Sequence, residues 1–347
     1  MSIESFNFGM LGDVPVPGFV LRNASGVTLK LVAYGARLTE LHLPDARGHA
    51  ADVVLGLATL AQYEASDAYM GATCGRYGGR IRNGAFPLDG RPVQLSCNEG
   101  AHHAHGGHSG FDRKVWRAET DTTANRVDFE LTSFDGEEGY PGTVIACTSY
   151  RLADNNMLEV TMRARTDRAT VVNLLHHGYW NLAGHNSGDV RGQCLRLPAD
   201  FYLPIDDALV PTGEVRGVAG TVFDFRAAKP LGQDLDTVPT GAGGYDHHWC
   251  INGPRGELRL CASLADPVSG RALDIFSTEP GVQVYTAGHF RDPVLGKAGA
   301  VYRQYAGVAL ETQRFPDAPN RSHFPDALLA PGDTYEHRMQ IRLRTGA

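Results

Sequence analysis

Leu258-Arg259-Leu260-Cys261-Ala262-Ser263-Leu264-Ala265, then Asp266-Pro267-Val268-Ser269-Gly270, then Arg271-Ala272-Leu273-Asp274-Ile275: apolar residues fall at every second position, stop at a segment with Pro and Gly, and resume beyond it. Successive side chains of a strand point to opposite faces, so this period marks a half-buried strand, and two such runs across a turn segment read as a hairpin. Leu258, Leu260, Ala262 and Leu264 are expected on the buried side of the first strand, Leu273 and Ile275 on that of the second. The same period recurs at Val27, Leu29 and Leu31, at Val127, Phe129 and Leu131, at Leu158, Val160 and Met162, and at Met339, Ile341 and Leu343. Leu88-Asp89-Gly90-Arg91 reads as a D-G hairpin turn and Asp154-Asn155-Asn156 as a further turn. No stretch of ten or more residues follows a helical period. The expectation is an all-β chain of antiparallel sheets with few short helices, sandwich or barrel-like. No low-complexity linker divides it, so residues 1–347 are read as a single domain.

Of 347 residues, 42% are hydrophobic and 20% charged, which suits a chain with a large core. The net charge of -7, with no stripe of Lys and Arg, argues against nucleic acid or an anionic membrane as partner. No apolar run reaches the roughly 18 residues that a membrane helix needs. Met1 to Met10 have no basic start and no long apolar stretch, so a cytoplasmic protein is expected, as monomer or homodimer. The six cysteines are scattered without a C-x-x-C pair, and buried, reduced thiols are expected rather than a disulfide framework.

The 14 histidines cluster: His102, His103, His105 and His108 in a Gly-rich loop, His176 beside His177, His247 beside His248. Imidazole is the side chain most ready to move protons near neutrality. His103-x-His105 or His105-x-x-His108 offers a zinc chelate, but a catalytic zinc usually needs a third ligand in a recognised pattern, and no H-E-x-x-H is present. No metal is therefore expected, and His102, His103 and His108 read as solvated loop residues. G-x-S-x-G is absent, and Gly75-Arg76-Tyr77-Gly78-Gly79 matches neither the P-loop nor the dinucleotide fingerprint, so no cofactor is expected.

Eight segments, in order, resemble the galactose mutarotase (aldose 1-epimerase) family. They are Gly75-Arg76-Tyr77-Gly78-Gly79-Arg80-Ile81, His105-Gly106-Gly107, Gly110 to Trp116, Asp135 to Gly142, Val172 to Leu182, Tyr245-Asp246-His247, Gly281 to Thr286, and Leu310-Glu311-Thr312-Gln313. The resemblance implies a β-supersandwich and a cofactor-free site for a small aldose sugar. It makes Glu311 the general base and His177 the general acid, sets His105 near the sugar's ring oxygen, gives Arg80 and Asp246 the sugar hydroxyls, and puts Gln283 in the pocket wall. Arg76 and Asp112 are read as structural. The chain departs from the family at Gly79, where Asn is common, at His176, usually Asn, at Gly178, usually Ser, and at Trp180, usually Phe. These changes are read as bearing on which sugar fits. Two further readings stay open: a non-catalytic sugar binder on the same fold, and an epimerase of phosphorylated hexoses.

Overall fold

The computed structural model describes residues 2–239 and 243–345. Three antiparallel sheets carry the architecture. The largest has nine strands, in the order Arg117–Asp121, Arg126–Ser133, Val144–Leu152, Met157–Thr166, Tyr335–Thr345, Arg271–Ser277, Arg259–Ala265, Cys194–Arg196 and Lys229–Pro230. Its long strands owe their place to the period-two pattern: Val144, Ala146, Thr148, Tyr150 and Leu152 are buried, as are Tyr335, His337, Met339, Ile341 and Leu343. Five N-terminal strands between Ser2 and Asp52 form a second sheet. The third has six strands, in the order Tyr179–Trp180, Val308–Gln313, Gly281–Tyr285, Asp246–Cys250, Phe201–Leu203 and Arg216–Gly217. Leu29, Val160, Ile275, Val282 and Leu310, drawn from all three sheets, belong to one continuous core.

The central strands of the six-stranded sheet are buried on both sides: every residue of Gly281–Tyr285 and Val308–Gln313 is buried. One face meets the nine-stranded sheet: Thr312 Oγ1 lies 2.9 Å from His337 Nε2, which also meets Ser277 Oγ at 3.0 Å, while His337 Nδ1 reaches the Leu174 carbonyl at 3.1 Å. The other face is the floor of a cavity.

The hairpin at 259–277 forms as expected around Asp266–Gly270. Its first strand departs from simple alternation: Leu260 pairs with Phe276 but Ala262 with Ile275, so Cys261 is a bulge residue. An extra residue flips the side chains before it to the other side. Leu258 is therefore 36% exposed and Leu260 half-buried, and Cys261 takes the buried place instead. At the D-G turn, Leu88 pairs with Arg91 across Asp89 at φ 50° and Gly90 at φ 73°, the left-handed pair a two-residue hairpin requires. All six cysteines are free, but only Cys74 and Cys261 are buried; Cys97 is exposed and Cys147, Cys194 and Cys250 are half-buried, which corrects the expectation of uniformly buried thiols. Among the described residues, the one α-helix is Leu60–Glu64, closed by a Thr59–Gln62 capping box, and no helix is long and apolar enough to cross a membrane.

Candidate active site

A cavity of about 620 Å³ opens above the six-stranded sheet. Three adjacent strands supply its floor. Gln283 pairs with Glu311 on one side and His248 on the other, and Tyr285 pairs with Asp246. Residues directly opposite in adjacent strands point the same way, as do residues two apart. Asp246, His248, Gln283, Tyr285, Glu311 and Gln313 accordingly all line the cavity.

His177 enters from the end of the ribbon Leu175–His176, which pairs with Thr73–Cys74. Its backbone is clamped on both sides: its N–H donates to Ala72 O at 2.8 Å, and its carbonyl accepts from Gly71 N at 2.8 Å. His105 follows the ribbon formed by His103–Ala104 with Arg80–Ile81, and has φ 49°. The next residue must be glycine, because a Cβ at Gly106 would lie 1.8 Å from Gly75 O. This close approach is the physical content of the H-G-G segment.

The six residues singled out in the sequence converge here. His177 Nε2 stands 3.4 Å from Glu311 Oε1, with Glu311 2% and His177 3% exposed. The His105 and His177 rings are 5.3 Å apart, and the Tyr69 ring covers both, at 4.6 Å and 5.8 Å. Gln283 Nε2 donates to Asp246 Oδ1 at 2.7 Å, and Arg80 Nη1 reaches Asp246 Oδ2 at 3.4 Å. Burial pushes the Glu311 carboxyl well above the usual carboxylate range; the neighbouring Asp246 adds to this and Arg80 opposes it. Burial likewise holds His177 well below its ordinary value, helped by His105. His105 is pushed down to about 3 by burial and then by Arg80 and His103. The Gly79 N–H donates to His105 Nδ1 at 3.3 Å, so the neutral ring carries its proton on Nε2.

Several expectations are corrected. His103 is fully buried, with Nδ1 at 2.7 Å from Ser96 O and Nε2 at 2.6 Å from the Tyr140 hydroxyl, and is not a solvated loop residue. Both ring nitrogens of His103 are thus engaged, which removes it from the His103-x-His105 chelate. A different trio, His105, His177 and Glu311, has ligand atoms within 4.8 Å of one another. Metal binding through His105 Nε2 would move that ring's proton to Nδ1, against the Gly79 N–H. His176 points away from the cavity, its Nδ1 3.2 Å from the Tyr150 hydroxyl, so its identity bears on packing rather than on the sugar. Gly178 and Trp180 likewise lie outside the lining, and Trp180 and Trp249 are core residues. Gly79 does line the cavity, where a Cβ would sit 3.1 Å from Gln313 Oε1. Arg76 is structural as expected: its guanidinium donates to Pro141 O, Gly142 O and Ser133 O at 2.9, 2.8 and 3.1 Å. Asp112 is buried outside the cavity lining.

Sequence reasoning missed Tyr69, Glu99, Tyr179, His248, Tyr285 and Gln313 among the lining residues. Three of these stand two positions from a named strand residue: His248 from Asp246, Tyr285 from Gln283, and Gln313 from Glu311. That spacing was a usable signal. Both ring nitrogens of His248 and the Gln283 Oε1 are buried without a hydrogen-bond partner, as expected of a floor that meets a polar ligand.

Residues 17–342 match the family model described as aldose 1-epimerase. The galactose mutarotase of Homo sapiens is 43% identical over 340 residues, 96% of this chain and 97% of that protein. The aldose 1-epimerase of Escherichia coli K12 is 35% identical over 319 residues, 91% of each chain. The solved structure of an aldose epimerase homologue from C. elegans superposes with a TM-score of 0.88 at 30% identity, covering 94% of this chain and 98% of that one. The chain belongs to the aldose 1-epimerase family.

Proposed function

We propose that this protein interconverts the α and β anomers of a free aldose by acid–base opening and re-closure of the pyranose ring. The observation that carries this reading is the buried contact of His177 Nε2 with Glu311 Oε1 at 3.4 Å. Ring opening removes a proton from the C1 hydroxyl and delivers one to the ring oxygen. Both oxygens are bonded to C1, so the acceptor and the donor must be close neighbours. In the opening step Glu311 takes the O1 proton, C1=O forms, the C1–O5 bond breaks, and His177 protonates O5. His105, with its proton on Nε2, donates a hydrogen bond beside O5. The aldehyde then turns about C1–C2, and the same two transfers in reverse close the other anomer. Nothing is oxidised and no covalent intermediate is needed. Each such transfer is typically worth about 10²–10⁴ in rate.

Burial sets how the pair holds its proton. The pair shares one proton, as carboxylate with imidazolium or as carboxylic acid with imidazole. The cavity disfavours the charged form, and opening converts the charged form into the neutral one. The environment that raises Glu311 and lowers His177 makes the neutral pair the resting form, so the charged pair that opens the ring is reached by moving the shared proton from carboxyl to imidazole. Meanwhile Arg80, Asp246 and Gln283 hold the distal hydroxyls and leave C1 free to turn.

The cavity also argues against phosphorylated hexoses. Its lining carries Asp67, Glu99, Asp246, Asp292 and Glu311 against two arginines, and both arginines are paired: Arg80 with Glu99 and Asp246, Arg113 with Asp67. A sugar binder without catalysis has no use for a buried carboxyl set against a buried imidazole. Polarimetry on freshly dissolved α-glucose, α-galactose, α-xylose and α-arabinose tests the proposal. Acceleration of at least one is expected; no acceleration of any over the spontaneous rate contradicts it.

A further inference from the structure

We propose that Glu99 is a positioning residue for the sugar clamp: its carboxylate splints the Arg80 guanidinium side-on and so aims the remaining N–H groups of Arg80 at the substrate. The inference rests on the reading of the cavity as the aldose site.

Arg80 Nε donates to Glu99 Oε2 at 2.6 Å and Arg80 Nη2 to Glu99 Oε1 at 2.9 Å. This is the two-pronged geometry that fixes a guanidinium in plane as well as in place. Asp246 holds the same group only through one longer contact, Nη1 to Oδ2 at 3.4 Å. Of the five donors of an arginine, these contacts use three. Two are left, one on each terminal nitrogen, in a residue that lines the cavity.

The main chain that carries the carboxylate is tied to the ribbon that carries the site. Asn98 Nδ2 donates to Ala104 O at 3.0 Å, and Ala104 N donates to Asn98 Oδ1 at 2.8 Å. Glu99 and His102 exchange backbone hydrogen bonds at 3.1 and 2.9 Å across a tight turn. Ala104 is the strand partner of Arg80 and immediately precedes His105. One short ribbon thus carries the splint, the clamp and the histidine placed beside the ring oxygen. The residue before Arg80 is Gly79, which has no side chain to share the task. Without Glu99, the carboxylate left in contact with Arg80 is Asp246, at the cavity floor. A guanidinium drawn towards it leaves the position from which it meets the sugar.

An exposed ion pair by itself contributes little, and Glu99 keeps 46% of its side chain exposed. The test therefore reads sugar affinity and its dependence on Arg80, not stability. Glu99→Gln, Glu99→Asp, Arg80→Lys and the Glu99→Gln/Arg80→Lys double variant are compared by calorimetric sugar binding and by KM and kcat. Glu99→Gln is expected to raise Kd and KM about tenfold, the loss of one charge-assisted contact, with kcat within about threefold. Glu99→Asp should recover part of this. In the Arg80→Lys background, where no fork remains to splint, Glu99→Gln should change Kd less than twofold. An unchanged Kd in Glu99→Gln, or the same rise in both backgrounds, overturns the proposal. Wild-type protein that binds sugar without anomer exchange would refute the catalytic reading, while the affinity comparison still decides the role of Glu99. Absence of sugar binding overturns both.

Discussion

Glu311→Gln separates catalysis from folding. The amide has the shape of the carboxyl it replaces and can still meet His177 Nε2 from the same strand, opposite Gln283. What it cannot do is accept a proton from O1. Removing one general base is worth about 10²–10⁴ in rate, or about 2.7–5.4 kcal/mol of barrier. The loss should fall on kcat, because in the proposed mechanism Arg80, Asp246 and Gln283 still grip the distal hydroxyls; KM should move less than about threefold. Stability should go the other way. A carboxyl whose pKa is raised by folding destabilises the fold at pH above its ordinary value of 4.5, increasingly as pH rises towards the folded value, and not below it. The variant should therefore melt at an equal or higher temperature than wild type near pH 7.5, and the difference should vanish below pH 4.5. Polarimetry of α-glucose and α-galactose, corrected for the spontaneous rate, reads the first effect, and thermal melts at two pH values read the second. The Glu311→Gln/His177→Asn double variant should lose little more than either single one, since the two act as a unit. A Glu311→Gln enzyme with kcat within threefold of wild type would refute the assignment of Glu311 as base.

Three further outcomes follow from the same structure. In the proposed mechanism the one-proton form of the His177–Glu311 pair is the active one, so kcat/KM should follow a bell with its acid limb below pH 6.5, where His177 gains a second proton, and its alkaline limb above pH 4.5, where Glu311 loses the last one; an acid limb centred at or above 6.5 contradicts the burial argument. Tyr69, at φ 54°, roofs both His105 and His177, and Tyr69→Leu should admit water and move the acid limb up towards 6.5, read by the pH profile and by NMR titration of the histidines; an unmoved limb means that the ring does not shield them. Arg76→Ala strands several buried carbonyls, each unpaired group costing about 1–3 kcal/mol, and should destabilise the fold by at least about 3 kcal/mol in urea melts; a loss under 1 kcal/mol would remove its structural role.

The sheets were legible in the sequence because alternation has a period that solvent enforces: one face of each long strand must be dry. The reading failed where a single residue breaks the period, at the Cys261 bulge, which leaves Leu258 exposed. It failed again at His103, whose partners, the Ser96 carbonyl and the Tyr140 hydroxyl, come from other segments. Alternation alone would put Glu311 on a solvent face, since nothing local shows that a strand is covered on both faces. Motif resemblance, not periodicity, singled it out. Among the missed residues, His248, Tyr285 and Gln313 follow from the two-residue spacing, whereas Tyr69 and Glu99 stand on irregular segments, where no period links position to direction.

The most direct test of the central claim is a crystal structure of the Glu311→Gln variant soaked with an aldose that the wild-type enzyme turns over. The account predicts O1 within about 3 Å of the residue 311 side chain and O5 within about 3 Å of His177 Nε2, with Arg80, Asp246 and Gln283 on the distal hydroxyls. A sugar bound with C1 against Arg80 and Asp246, away from both His177 and residue 311, would contradict it.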